Sequence, residues 1–403
     1  MLKRLLVAST ALGLATIAAQ AQEVKVGLIL PYTGIGAELA QQVDRGIAQY
    51  LKLHANDVKP IKLTIIKRDD KDASGVTSKT VAQELLTQEK VDVLAGWIYS
   101  PNAIASAPVV NAGKKLSVIM NAGTAHITTM SRYYVRTSFS MWQAGYAMGE
   151  AAAKRLKAKT AVVGYSDFPP GKDSLAAFKR GFEANGGKVV DEIPMGGPNA
   201  VPDFTPFFQR AKDKKPNVFF VFVPAGEHAT AVVKTYGALG MNAAGIKLIG
   251  PGDITQDIKL QAMGDAAVGM ITMHHYNADL PNAENKKLVA SWKKDYGADS
   301  TPDFVAIGGY DGIAAIVHAA KALKGKMDDG DKAVAALKGW KFNSPQGPIS
   351  VDPDTRDIVM NEYLSEVVKG KDGKLHMKVL ATIDHVKDVC KAQKIGPCAN
   401  VAK

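Results

Sequence analysis

Two kinds of hydrophobic run alternate along the chain. Val24 to Leu30, Ile61 to Lys67, Val91 to Ala95 and Leu116 to Met120 are short and almost continuously apolar, the pattern of strands buried on both faces. Between them Glu38 to His54 reads as an amphipathic helix with one buried face, and Ser74 to Gln88 and Pro101 to Ala112 are expected to be helical too. The order β-α-β-α-β-α-β predicts a parallel, doubly wound sheet. After an extended segment at Tyr133 to Phe139 the alternation restarts. Helices are expected at Trp142 to Leu156, Lys172 to Asn185, Phe204 to Lys212, Glu227 to Leu239 and Ile254 to Met263. Strands are expected at Thr160 to Tyr165, Lys188 to Ile193, Val218 to Val223, Ile246 to Ile249 and Gly269 to His274.

The last third starts no third unit. Helices at Asn285 to Tyr296, Phe304 to Leu323 and Asp331 to Leu337 have too few strands beside them for a sheet of their own, and strands follow from Ile349. The helices are therefore assigned back to the first lobe, with crossings near residues 138–142, 275–279 and 345–350. The fold class expected is α/β, two doubly wound lobes joined by a three-stranded hinge. Residues 22–138 plus 279–346 form lobe 1, and 139–278 plus 347–385 form lobe 2.

The first residues change where this fold is expected to work. Lys3 and Arg4 precede an apolar run from Leu5 to Ala19, closed by Ala19-Gln20-Ala21. That is a secretory leader with a small-x-small cleavage site, over residues 1–21. The run is too short to span a bilayer, and no later stretch replaces it. A chain of 403 residues exceeds what one core supports, in keeping with two lobes. The formal charge of +11 is spread as scattered lysines, which reads as a solvated surface and not as a nucleic-acid footprint. Cys390 and Cys398 are the only cysteines, and in an oxidising compartment they read as a disulfide closing a loop in the tail, residues 386–403.

Candidate chemistry concentrates between Val91 and Thr124. Ser100 occupies an N-cap position and Pro101 the first helical position, so a helix begins at the carboxyl end of a strand. Free N–H groups and the dipole there favour an anion such as a carboxylate. Asn121-Ala122-Gly123-Thr124-Ala125 repeats the offer with small residues and a hydroxyl. Ser100 and Thr124 as plain caps are the alternative reading.

Enzymatic readings find less support. Gly34-Ile35-Gly36 followed by Asp69-Asp70 imitates a dinucleotide fingerprint, but Leu39 replaces the third glycine and the acids fall too far along. No GxSxG elbow occurs. His274 and His275 are adjacent on a strand, so they point to opposite faces, one expected buried and one exposed. Asp69-Asp70, Asp328-Asp329 and Asp352/Asp354 read as caps or solvated loops. The expectation is a binding protein with no catalytic residues, metal or cofactor.

The chain resembles periplasmic substrate-binding proteins of the branched-chain amino acid, amide and urea type, the receptor subunits of ABC importers. The resemblance rests on VKVGLILPYTGIGA, LTIIKRDDKDASGV, SPNAIASAPV, NAGTA and YVRTSFSMWQAGYAMGEAAA, continued by DFPPGKDSLAAFKRGFEANGGKVV and LKLIGPGD. It implies a periplasmic, monomeric protein whose lobes close on a small carboxylate ligand and then present it to a membrane permease. It implies a carboxylate grip by Ser100 and the backbone around Ala122 and Thr124. It also places the turns at Tyr32, Phe168, Ala225 and Asp253 at the cleft. Of Trp97 and Tyr99, alternation puts one in the cleft and the other beneath a helix. Two departures bear on the ligand. The family's acid directly after Gly-Pro is displaced to Asp253 in Gly250-Pro251-Gly252-Asp253, and the aromatic just before the glycine of the second lobe's first turn is replaced by Pro170 in Phe168-Pro169-Pro170-Gly171, with the Phe168 ring two residues earlier. A branched-chain or related amino acid is the first expectation; an aromatic or aliphatic carboxylate without an ammonium group is the second.

Overall fold

The computed structural model describes residues 22–59 and 61–399; the expected leader at 1–21 lies outside them. Its first sheet comprises β1 Gln22–Leu30, β2 Ile61–Asp69, β3 Val93–Gly96, β4 Ser117–Ile119 and β5 Tyr134–Arg136, all parallel, in the order β2-β1-β3-β4-β5. Every residue of β3, β4 and β5 is buried, as continuous apolar runs require when helices cover both faces.

The second sheet opens with β6 Thr160–Tyr165, β7 Lys188–Pro194, β8 Val218–Phe222, β9 Lys247–Pro251 and β10 Ile271–His274, again parallel. The late strands β11 Lys341–Ser344, β12 Gly347–Val351, β13 Ile358–Lys369 and β14 Leu375–Val386 join it antiparallel. Its order, β11-β12-β13-β10-β9-β8-β6-β7 with β14 on β13, contains the first sheet's winding once more, β7-β6-β8-β9-β10. Each sheet thus has a switch point where its winding reverses, between β1 and β3 and between β6 and β8. Crevices for ligands open there, at the strands' carboxyl ends.

The helix Phe304–Ala322 packs along Ala37–Leu53 on the first sheet. The approach is so close that a Cβ on Gly46 would lie 1.8 Å from the Ala306 carbonyl oxygen, and one on Gly309 2.4 Å from that of Val43. Glycine is therefore required on both helices, and Leu or Ala there would force them apart. The tail folds as a short helix, Val389–Gln393, joined through the Cys390–Cys398 disulfide and packed on Trp142 and Ala177.

Several local expectations are corrected. Ser100 is not the cap: the helix runs Ser100–Gly113, and extended Tyr99 precedes it, so the Ser100 side chain is free for another partner. The helix expected from Ile254 begins at Asp257, after a 3-10 turn at Gly252–Thr255, because Gln256 is extended and its amide is engaged elsewhere. His274 and His275 are both buried and do not point to opposite faces: β10 ends at His274, the two rings lie 4.3 Å apart, and Phe139 and Phe304 pack against both. Asp70 is no solvated loop residue; it is buried and accepts from Asn102 Nδ2 at 2.6 Å.

Candidate functional site

A cavity of about 40 Å³ lies where the carboxyl ends of the two sheets face each other. The first lobe supplies Ile98, Tyr99, Ser100, Asn121 and Gly123 from the ends of β3 and β4, with Leu39, Phe304 and Val305 from two helix starts. The second supplies Phe168, Phe222, Ala225 and Asp253 from the ends of β6, β8 and β9, and Phe139 and Met141 come from the crossing after β5. Four phenylalanine rings form the walls. Phe168 and Phe222 stack 6.1 Å apart on one side, and Phe139 and Phe304 meet edge to face at 5.7 Å on the other. An apolar cavity of about 150 Å³ holds a benzene ring. The cleft is thus closed more tightly than a ring requires, and a ligand of that size enters only if the lobes part.

The first-lobe end of the cavity, where the carboxylate grip was expected, offers one hydroxyl and a tightly bonded turn. Ser100 Oγ accepts from Thr124 N–H at 3.1 Å, which leaves the hydroxyl's own proton to donate. Asn121 donates its amide to the Ile98 carbonyl at 2.9 Å, while its Oδ1 is buried without a partner among the described residues. Behind this turn Arg136 is fully buried. Its guanidinium donates to the carbonyls of Ala122, Phe139, Thr124 and Ala125 at 2.9 to 3.3 Å and pairs with Asp357 at 3.0 Å. Lys391 of the tail pairs with the other Asp357 oxygen. Arg136 therefore fixes the Asn121–Ala125 turn by its carbonyls and adds positive charge behind it.

Five of the sequence-derived residues, Tyr99, Ser100, Phe168, Ala225 and Asp253, meet at the cavity. The others do not line it. Trp97, expected at the ligand, is fully buried beneath helices, its Nε1–H near Ser78 Oγ at 3.2 Å and Ser106 Oγ at 3.3 Å. Tyr32 is tied to Asp44 at 3.1 Å. Ala122 N–H is spent on the Trp97 carbonyl at 2.9 Å, and Thr124 N–H on Ser100; Thr124 Oγ1 is buried and unpartnered among the described residues.

A profile described as periplasmic binding protein matches residues 23–374. The chain belongs to the periplasmic binding protein family. It is 39% identical over 385 residues to Leu/Ile/Val-binding protein homolog 6 of Brucella melitensis biotype 1, covering 95% of this chain and 97% of that one. A solute-binding protein of an ABC transporter from Rhodopseudomonas palustris BisB5, solved in complex with 3,4-dihydroxybenzoic acid, is 46% identical, with a TM-score of 0.86 over 92% of this chain and 99% of that one. Another from Rhodopseudomonas palustris HaA2, in complex with p-hydroxybenzoic acid, is 37% identical, with a TM-score of 0.87 over 92% and 100%. This periplasmic binding protein is a solute-binding protein and not an enzyme, and no helix among its described residues is long and apolar enough to cross a membrane.

The binding protein's lobes are clasped across the cleft. Asp173 Oδ2 accepts from Ala125 N–H at 2.8 Å, and burial, above other causes, pushes its carboxyl up to about 6. Lys259 bridges Glu38 and Glu227, each at 2.7 Å, and Gln256 donates to buried Asp303 at 2.5 Å while accepting from Gly226 N–H at 2.8 Å. Sequence reasoning missed Arg136, Phe139, Phe222 and Phe304. A lone arginine inside YVRTSF was the available signal for the first. Phe222 ends a strand and Phe304 begins a helix, the positions where site residues collect in this fold.

Proposed function

We propose that this chain is the periplasmic receptor of an ABC importer and that its ligand is a small aromatic carboxylate. The observation that carries the reading is the cavity wall: four phenylalanine rings from both lobes surround a space whose polar groups are Ser100, Asn121 and Asp253. Ring faces and edges pack best against another ring, while the Ser100 hydroxyl and the turn in front of Arg136 suit a carboxylate. Two relatives solved with hydroxybenzoic acids support it. In this account closure removes the ligand from water, strengthens its charge-assisted hydrogen bonds and creates the form that the permease engages.

A branched-chain amino acid is the competing reading. Its support is the buried acid Asp253 at the cavity, a partner for an ammonium group, and the names of relatives such as the Brucella melitensis protein. A thermal-shift panel separates the two. Ligand at about 100 times its Kd adds about 2.7 kcal/mol of stability. Benzoate and 4-hydroxybenzoate are expected to raise the midpoint where leucine, isoleucine and valine do not; the reverse pattern would replace the aromatic reading by the amino-acid one.

A further inference from the structure

Asp253 closes the cavity on the second lobe's side, opposite Ser100, and a cluster of polar side chains stands behind it. Asp253 is 6% exposed, and His274 Nε2 lies 3.7 Å from its Oδ2. That separation is too long for a hydrogen bond. Among the described residues neither this oxygen nor either His274 nitrogen has a hydrogen-bond partner. The His274 ring packs against Phe139 at 5.2 Å and Phe304 at 4.5 Å, two rings that line the cavity, and against the His275 ring at 4.3 Å. Glu362 on β13, next to the residue in register with His274, is fully buried with both oxygens unpartnered among the described residues. Burial, and after it the charge of Asp253, raise the Glu362 carboxyl well above the usual range.

A carboxylate and an imidazole at this separation bracket a hydroxyl. An oxygen about 2.7 to 2.9 Å from both can donate its proton to Asp253 and accept from a His274 N–H. A bare ring edge would leave both buried groups without partners, whereas a hydroxyl, like an ammonium group donating to the acceptor nitrogen of a neutral His274, would answer both. We propose that Asp253 and His274 form a hydroxyl-reading subsite, selecting aromatic carboxylates that carry a hydroxyl para to the carboxylate held at Ser100. The inference rests on the aromatic-acid reading.

The test is titration calorimetry of ligand-stripped protein with 4-hydroxybenzoate, benzoate, 4-fluorobenzoate and leucine. Wild type should bind 4-hydroxybenzoate about tenfold or more tighter than benzoate, the range of one good hydrogen bond to a charged group. 4-Fluorobenzoate, similar in size but without a proton to donate, should follow benzoate; this arm needs no variant to fold. Asp253→Ala and His274→Leu should each shrink the hydroxyl preference to about threefold or less. Equal affinity of wild type for the three benzoates, or an unaltered preference in both variants, overturns the subsite while the aromatic reading stands. Binding of leucine with no benzoate bound overturns the reading beneath it.

Discussion

Asp173→Ala should weaken ligand binding without weakening the fold. Asp173 sits on the helix Pro169–Glu183 of the second lobe and accepts from Ala125 N–H in the first, and both groups are buried when the lobes meet. Removing the carboxylate leaves that N–H without an acceptor in the closed form, whereas in an open form water takes its place. The cost of one buried, unpaired donor is about 1 to 3 kcal/mol. Because it falls on the closed form alone, Kd should rise about 5- to 150-fold. Calorimetric titration of the variant with the tightest ligand of the wild type gives the number, and the unliganded unfolding midpoint serves as control. Affinity within twofold of wild type would mean that this bond is not made on closure. A fallen unliganded midpoint with unchanged affinity would make Asp173 a folding residue instead.

Ser100→Ala removes the one hydroxyl at the anion end and should cost about 1 to 3 kcal/mol of binding, read by the same titration; a change under twofold would place the carboxylate elsewhere. Arg136→Met strips a buried cation from four carbonyls and from Asp357, so chemical denaturation should show a loss of about 3 to 5 kcal/mol, and a loss below 1 kcal/mol would contradict its anchoring role. Asp311 is pushed up to about 7, mainly by burial, with Gln346 and Ser344 as its hydrogen-bond donors. Its unfolded counterpart ionises near 3.9, so the folded chain binds more protons between those values, and stability from this group is lost as pH rises through about 7. The midpoint of Asp311→Asn relative to wild type should therefore climb from pH 5.5 to 8; a flat difference would refute the shift.

The sheets were legible because their strands are continuous apolar runs and their helices keep a separate period. Both windings follow from that alternation. The site was legible only where it is local. Ser100, Phe168, Ala225 and Asp253 follow strands directly. Between Trp97 and Tyr99 alternation could not choose, because β3 ends at Gly96 and Trp97 takes a positive φ of 61°, which resets the side-chain directions and sends the indole toward Ser78 and Ser106. Arg136 depends on Asp357 and Lys391, which are far along the chain, and no local pattern announces such a partnership. The burial of both His274 and His275 likewise depends on Phe139 and Phe304, which approach from different segments.

We propose that a single aromatic carboxylate is captured between the lobes. The direct measurement is mass spectrometry of small molecules released on denaturing protein loaded from an equimolar mixture of benzoate, 4-hydroxybenzoate, leucine, isoleucine and valine, then freed of excess. The account predicts one aromatic acid, near one per chain, with 4-hydroxybenzoate ahead of benzoate. Recovery of leucine, isoleucine or valine in its place would contradict it.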